Sequence, residues 1–279
     1  MLVTGMANND TAATNLGVGT ETRSMQVNSI LRLIRGGCPG EAALGTAVSN
    51  AILQRVAAGK LPDTARLGLP GRILTFGRRD AVCPGYPAAL AAAREAGYEV
   101  VERLAGGRAA AYNGEAINLS RAQRDPNPAG GTQARFAEMA ELVRTALASL
   151  GIDARIGEVP GEYCPGAFTV NAGGRVKLAG IGQRLIKGGA HVGCVIVAGG
   201  SEELRDVLLP VYEALEIEWD PATVGSAKDE VPGITLSEVE AAVLAQLERR
   251  FGVTEVELDA DTATLAAELE PRHRPGETA

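Results

Sequence analysis

Apolar residues recur every four positions at Leu44, Val48, Ile52 and Val56. That spacing keeps one side of a helix oily, so an amphipathic helix is predicted over 40–60, with Gly59 as its stop. Residues 86–97 read as a second helix, with Pro87 in the first turn, where its missing N–H costs nothing. Over 132–151 the series Phe136, Ala140, Val143, Leu147 marks a third. Residues 201–216 read as a helix capped by Ser201 and interrupted by Pro210. Residues 235–252 read as another, opened by a capping box of Thr235 and Glu238; acidic helix and tail follow a last strand at 253–259.

Shorter runs read as strands: 71–78, 98–104, 115–122, 155–159 and the apolar 191–200, which is expected at the centre of a sheet. Residues 105–114 are a glycine-rich loop running into a strand that could form a hairpin with 115–122. Gly173-Gly174 sits between two further short strands, a two-residue hairpin signal. The stretch 125–131, Asp-Pro-Asn-Pro-Ala-Gly-Gly, is a surface loop, and 219–233 another. Adjacent strand pairs mix with strand–helix alternation. The expected fold class is therefore α+β, a mixed or antiparallel sheet flanked by helices. Residues 1–24 are rich in Asn, Thr and Gly and are expected to be a disordered tail. Residues 25–200 form the expected core, and 201–279 an extension that completes or flanks it.

Composition narrows the function. With 279 residues and 46% hydrophobic content the chain can bury a large core. A net charge of −7 and 4% aromatics argue against nucleic acid as a partner. No apolar run reaches the ~20 residues that span a bilayer, and the N-terminus does not read as a secretion signal; a cytoplasmic enzyme is expected. The four cysteines, Cys38, Cys83, Cys164 and Cys194, form no CxxC pair, and only two histidines, His191 and His273, are present. No metal site is expected. Cys194, inside an apolar strand, reads as core; His191 reads as structural; Cys83 has no basic neighbour beyond Arg78 and Arg79.

The candidate chemistry lies in GEYCPGAFTVNAGGRVKLAGIGQR, residues 161–184. Cys164 precedes a Pro-Gly bend and lies thirteen positions before Lys177. A Gly-Gly turn between them can bring both onto neighbouring strands. A nearby ammonium favours a thiolate, the form that attacks acyl groups. Simple alternation places Lys177, Ala179 and Ile181 on one face, with Val176 and Leu178 on the other. Most free cysteines, however, are small buried hydrophobes, and most lysines are surface charges. The Gly106-Gly107 amides could steady an oxyanion, or the pair could be an ordinary turn.

These residues resemble a family. Arg103 to Tyr112, RLAGGRAAAY, looks like the Arg-x-x-Gly-Gly signature of the biotin/lipoate ligase and octanoyltransferase superfamily. Val176 to Arg184, VKLAGIGQR, looks like its Lys-x-x-Gly-x-x-Gln segment. Tyr163-Cys164-Pro165-Gly166 is similar to the Tyr-Cys-Pro-Gly of the octanoyl-[glycine cleavage H protein]:protein N-octanoyltransferases. The resemblance covers roughly residues 40–200. It implies the biotin/lipoate ligase catalytic-domain fold, a thioester on Cys164, and Lys177 holding that cysteine as thiolate. It implies a substrate site at Arg103, Gly106, Gly107, Arg108, Ala179, Gly180 and Gln183. It also implies octanoyl or lipoyl transfer among the glycine cleavage H protein and the lipoyl domains of 2-oxoacid dehydrogenase complexes, with no cofactor. Arg108 stands where ligases commonly carry a third glycine, and Tyr112-Asn113 where they carry His-Asp, which weakens an adenylating reading. An octanoyl-acyl carrier protein donor, an ATP-dependent ligase and a non-catalytic carrier-binding protein remain alternatives.

Overall fold

The computed structural model describes residues 30–38 and 40–276; the tail expected at 1–24 lies outside them. In chain order the elements are β1 (Ile30–Arg35), α1 (Ala42–Ala57), β2 (Thr64–Gly68), β3 (Ile73–Phe76), α2 (Arg78–Ala81), α3 (Tyr86–Glu95), β4 (Glu99–Glu102), β5 (Ala110–Tyr112), β6 (Ala116–Arg124) and α4 (Thr132–Ala148). Then come β7 (Ala154–Ile156), β8 (Val170–Ala172), β9 (Val176–Ile186), β10 (Gly189–Val197), α5 (Ser201–Ala214), α6 (Ala227–Glu230), α7 (Leu236–Arg250), β11 (Gly252–Glu255) and α8 (Ala260–Leu269).

Eight strands form the main sheet in the order β11-β1-β2-β6-β10-β9-β8-β7. Only β11–β1 and β1–β2 pair in parallel; the other pairs are antiparallel. A second sheet, β4-β3-β5, has one parallel and one antiparallel pair. The mixed α+β class is as expected. The hairpin between 105–114 and 115–122 is not: β5 pairs with β3 in the small sheet, while β6 pairs with β2 and β10 in the large one. The chain changes sheets at Asn113, whose amide donates to the carbonyls of Gly199 and Gly200 (3.0 and 3.1 Å).

Among the described residues three large clusters make most of the core, and a small fourth joins Ala42, Ile73 and Val101. Helices α4 and α7 cover one face of the main sheet through Val143, Leu147, Val239 and Val243. On α1, Val48, Ile52 and Val56 are buried with Ile34, Ala266 and Leu269, and Leu44 packs partly against them. Each such aliphatic side chain contributes about 1.5–3 kcal/mol on burial. The third cluster fills the space between the small sheet, α3 and α5 with Phe76, Tyr86, Leu204 and Tyr212. Residues 201–276 are thus woven into both layers.

Local expectations fared unevenly. Gly59 ends the first helix in a left-handed conformation (φ 70°), and Thr235 and Glu238 form their capping box. Ser201, by contrast, is the first buried residue of α5, and Gly200 (φ 71°) is the cap. Pro210 lies inside α5 without interrupting it. The stretch 219–233, read as loop, contains α6.

Candidate active site

Gly173 and Gly174 take φ values of 58° and 75°, and the Arg175 amide closes their turn on the Ala172 carbonyl (2.9 Å). The hairpin β8–β9 thus forms as the sequence suggested. Its alternation does not. The register jumps between Val170↔Ala179 and Asn171↔Lys177, leaving Leu178 as an extra residue on β9. Such a bulge turns consecutive side chains to the same side. Leu178 and Ala179 both enter the α4–α7 core. Lys177 swings to the opposite face and lies along Gly180, where a Cβ would stand 3.2 Å from its Cε. Ala179, expected in the substrate site, is a core residue instead.

The loop 161–169 returns over that face. Cys164 adopts φ 43°, a left-handed conformation that non-glycine residues avoid at a cost of about 1–2 kcal/mol. Several bonds hold it there. The Cys164 amide donates to the Tyr212 hydroxyl (2.9 Å), which donates in turn to the Ala109 carbonyl (2.8 Å). The Lys177 ammonium donates to the carbonyls of Tyr163 (3.0 Å) and Cys164 (2.8 Å) and lies 3.6 Å from Glu162 Oε1. It also sits 4.8 Å above the Tyr163 ring centroid. Glu162 accepts from Thr169 Oγ1 (2.6 Å) and the Gly166 amide (3.0 Å). Burial lowers the Lys177 pKa, opposed by Cys164 and Glu162; burial raises that of Glu162, opposed by Lys177.

The donors to the Cys164 sulfur are different groups. The Arg108 amide reaches Sγ at 3.2 Å and the Arg103 guanidinium at 3.6 Å. Arg103 also donates to the Arg108 carbonyl (2.9 Å). Burial works against the Arg103 charge, but Tyr112 and Cys164 outweigh it and raise its pKa. Gly107 (φ 133°) permits this approach: a Cβ there would stand 2.6 Å from Arg103 Nη1 and 3.0 Å from Sγ. The Arg108 side chain turns away to buried Asp80 (3.1 Å), whose other oxygen accepts from the Gly77 amide (2.8 Å). Arg108 also approaches Cys83 (4.0 Å), the basic neighbour that local sequence did not offer.

Other expected residues have structural partners. The Gly106 amide donates to the Gln183 carbonyl (3.2 Å), so it is not free for an oxyanion. Gln183 ties β9 to α4: its amide donates to the Thr132 carbonyl (2.8 Å) and its oxygen accepts from Arg135 Nε (2.8 Å). Gly106, Gly107, Arg103, Gly180, Gln183, Cys164 and Lys177 nevertheless all border one cavity of about 520 Å³. Its apolar wall is made by Ala110, Ala111, Phe136, Phe168, Ile181, Val195 and Val197. Phe136 and Phe168 stack at 5.2 Å, closing one side. Arg108 is absent from that lining and reaches the site through its amide. Tyr212, Glu162 and Asp80 escaped the sequence reading. Glu162, directly beside the motif, was the most accessible of them; nothing local marks Tyr212.

A thiol at a strained bend, on the wall of an apolar chamber and with two N–H donors directed at it, is an arrangement suited to acyl transfer. The chain belongs to the lipoyl protein ligase A/B catalytic domain family, whose model matches residues 41–248. It is 28% identical over 219 residues to an octanoyl-[GcvH]:protein N-octanoyltransferase of Bacillus velezensis, covering 74% of this chain and 76% of that protein. It is 30% identical over 163 residues to the protein of the same name in Geobacillus kaustophilus. That match takes in 58% of this chain and only 57% of the relative's length. The fold is that of a lipoate-protein ligase A bound with ATP, with a TM-score of 0.69 at 20% identity over 87% of this chain and 94% of the other. A putative lipoate protein ligase from T. acidophilum with bound lipoic acid superposes with a TM-score of 0.67 at 20% identity, covering 88% and 95%. No helix among the described residues is long and apolar enough to cross a membrane. Among the same residues, no group of three or more His, Cys, Asp or Glu side chains is placed to hold a metal ion.

Proposed function

We propose that the chain transfers an octanoyl or lipoyl group between lysines of lipoyl-carrier proteins through a thioester on Cys164. The observation that carries this is the Cys164 sulfur on the wall of an apolar chamber, with the Arg108 amide and Arg103 guanidinium directed at it. Both donors favour the thiolate, the attacking form.

In the first half, the Cys164 thiolate adds to the amide carbonyl of an acylated carrier lysine. The tetrahedral intermediate collapses, breaking the C–N bond. The leaving nitrogen takes up a proton from solvent, so the lysine departs as a neutral amine, and the acyl group stays on sulfur. In the second half, the neutral amine of an acceptor lysine adds to the thioester carbonyl. The C–S bond breaks, Cys164 leaves as thiolate, and the amine's proton is released. One amide is exchanged for another, so the bond energy is conserved and no ATP is consumed. Arg103 and the Arg108 amide stabilise the sulfur anion at both ends of the cycle. Lys177 and Tyr212 hold the strained bend that presents it. The apolar wall takes the alkyl chain and excludes water, which would hydrolyse the thioester.

The names of the relatives favour the glycine cleavage H protein as one carrier. Lipoyl domains of 2-oxoacid dehydrogenases are the second class of carrier in this reading, and the cytoplasm is its compartment. The test is mass spectrometry after incubation with octanoylated H protein. An octanoyl adduct on Cys164 that hydroxylamine removes is expected, with Cys164→Ala abolishing transfer. Unchanged turnover in that variant would sink the thioester. Comparable modification from free octanoate plus ATP would replace this reading with a ligase, and from octanoyl-acyl carrier protein alone with a different donor.

A further inference from the structure

The turn that follows β3 touches no substrate in the proposed reaction, yet it abuts the peptide unit that serves the sulfur. Residues 103–109 connect β4 to β5 outside both sheets. The Arg108 amide therefore has no strand partner; its acceptor is Cys164 Sγ at 3.2 Å. The same peptide unit carries the Gly107 carbonyl at its other end. Gly77 lies directly against that oxygen, so that a Cβ added at Gly77 would overlap it. A peptide unit is planar and turns as one piece. Whatever fixes the Gly107 carbonyl also fixes the direction of the Arg108 N–H. Gly107 itself (φ 133°) imposes little conformational preference, so the orientation has to be set from outside.

Asp80 holds both sides of this contact. It is fully buried in α2. Its Oδ2 accepts from the Gly77 amide (2.8 Å), and its Oδ1 accepts from Arg108 Nη1 (3.1 Å). The amides of Asp80 and Ala81 donate back to the Gly77 carbonyl (3.0 and 3.1 Å), which closes the turn. The Arg103 amide donates to the Phe76 carbonyl (3.0 Å), tying the start of the 103–109 connection to the same end of β3. Among the described residues, the ion-pair partner of Asp80 is Arg108. A buried carboxylate is costly to the fold unless its charge is matched, so the pair holds the Arg108 side chain in place.

We propose that Asp80 is a positioning residue for the nucleophile: by tying Gly77 to the Arg108 side chain it aims the Arg108 N–H at the Cys164 sulfur. The inference rests on the reading of Cys164 as the nucleophile, but it involves neither carrier nor acyl group. An N–H aimed at sulfur favours the thiolate, so losing the alignment disfavours it. The sign separates this role from a simple charge effect. Asp80 is an anion, and as a bare charge it opposes a second anion nearby. Removing that charge alone would favour the thiolate; removing the tether disfavours it.

The experiment is the rate of iodoacetamide alkylation at Cys164 against pH, with no carrier present, read by mass spectrometry on the peptide that contains residue 164. Asp80→Asn keeps the shape but sets an amide N–H₂ against either Gly77 N–H or the guanidinium, so one of the two bonds is lost. Arg108→Met removes the guanidinium and leaves the main-chain amide. Thermal melting establishes which proteins are folded. The inflection is expected to rise by about one pH unit in Asp80→Asn, a tenfold loss of thiolate at any pH well below it. It is expected to rise in Arg108→Met as well, and in the double variant no further than in the higher single one. An unchanged or lowered inflection in folded Asp80→Asn overturns the proposal. If Asp80→Asn does not fold, Arg108→Met decides in 1 M KCl, where the Debye length is about 3 Å. A rise that persists there reports lost alignment; one that vanishes reports a screened charge and overturns the proposal. Octanoyl transfer is assayed separately. A wild-type protein that shows these shifts but transfers no octanoyl group faults the proposed reaction and leaves the role of Asp80 standing.

Discussion

Lys177→Met keeps the aliphatic stem and removes the ammonium. In the structure that ammonium bonds two main-chain carbonyls at 3.0 and 2.8 Å and faces Glu162 at 3.6 Å. The substitution leaves two buried acceptors and one buried carboxylate without their cation. Removing one partner of a buried ion pair costs about 3–5 kcal/mol, and each orphaned acceptor about 1–3 kcal/mol before relaxation. A loss of about 4 kcal/mol in unfolding free energy is expected. Glu162→Gln should cost about 1–3 kcal/mol, since the Thr169 and Gly166 bonds lose their charge assistance. In the double variant no unpaired charge is left, so the losses should fall short of their sum by about 2 kcal/mol. The assay is urea denaturation of the four proteins, with octanoyl transfer and iodoacetamide alkylation of Cys164 measured beside it. Transfer should fall in step with loosening of the 163–164 bend. If Lys177→Met stays within about 0.5 kcal/mol of wild type, the range of an ordinary surface change, while alkylation collapses, the reasoning is refuted. Lys177 would then act on the sulfur as a through-space charge, not through the backbone.

Two further outcomes are expected. Tyr212→Phe deletes the hydroxyl that links the Cys164 amide to the Ala109 carbonyl; a loss of about 2 kcal/mol and a fall in kcat at little-changed KM should follow, and unaltered kcat would remove Tyr212 from the site. Burial, reinforced by Arg66, pushes the His191 pKa down to about 4 from its ordinary 6.5. The unfolded chain therefore takes up the proton first, so stability is full above pH 6.5 and is lost as pH falls toward 4. By pH 5 the loss is about 2 kcal/mol. His191→Gln in a carboxylate-free buffer should lack this component of the pH 7-to-5 difference; identical profiles would refute the burial argument.

The sequence made the longer helices legible through apolar spacing, caps or an N-terminal proline, and the hairpin because Gly-Gly has few other uses between two strands; the four-residue α2 and α6 went unread. It left β1 and β2 unread. Ile30–Arg35 adjoins a polar stretch, and Thr64–Gly68 carries an arginine whose partners, the Gly45 carbonyl and Ser49 Oγ, lie on a distant helix. The two-sheet arrangement was equally hidden: 110–112 and 116–124 are close in sequence, and the chain changes sheets at Asn113, whose partners Gly199 and Gly200 are far away in sequence. The motif residues Cys164, Lys177, Arg103 and Gly107 do converge. Their pairing could not be read, because it depends on a bulge that alternation does not foresee.

That bulge gives the Lys-x-x-Gly spacing a physical meaning. Once Leu178 is extruded from the ladder, Lys177 shares a face with Gly180 rather than with Ala179. Its stem lies flat over Gly180, where a Cβ would stand 3.2 Å from Cε and 3.6 Å from Nζ. A side chain at 180 would lift the ammonium off the two carbonyls it holds. Two positions on, Gly182 has Ala105 Cβ and the Gly106 carbonyl at 3.1 Å and Arg103 Nη2 at 3.2 Å from its missing Cβ. A side chain there would push Arg103 and the glycine loop away from Cys164. The two glycines of β9 thus seat two different cations, one against the backbone of the cysteine and one against its sulfur. Lysine suits the first task because three N–H donors on one atom can serve converging carbonyls and a carboxylate together. Arginine suits the second because its charge is permanent and does not depend on what the sulfur carries.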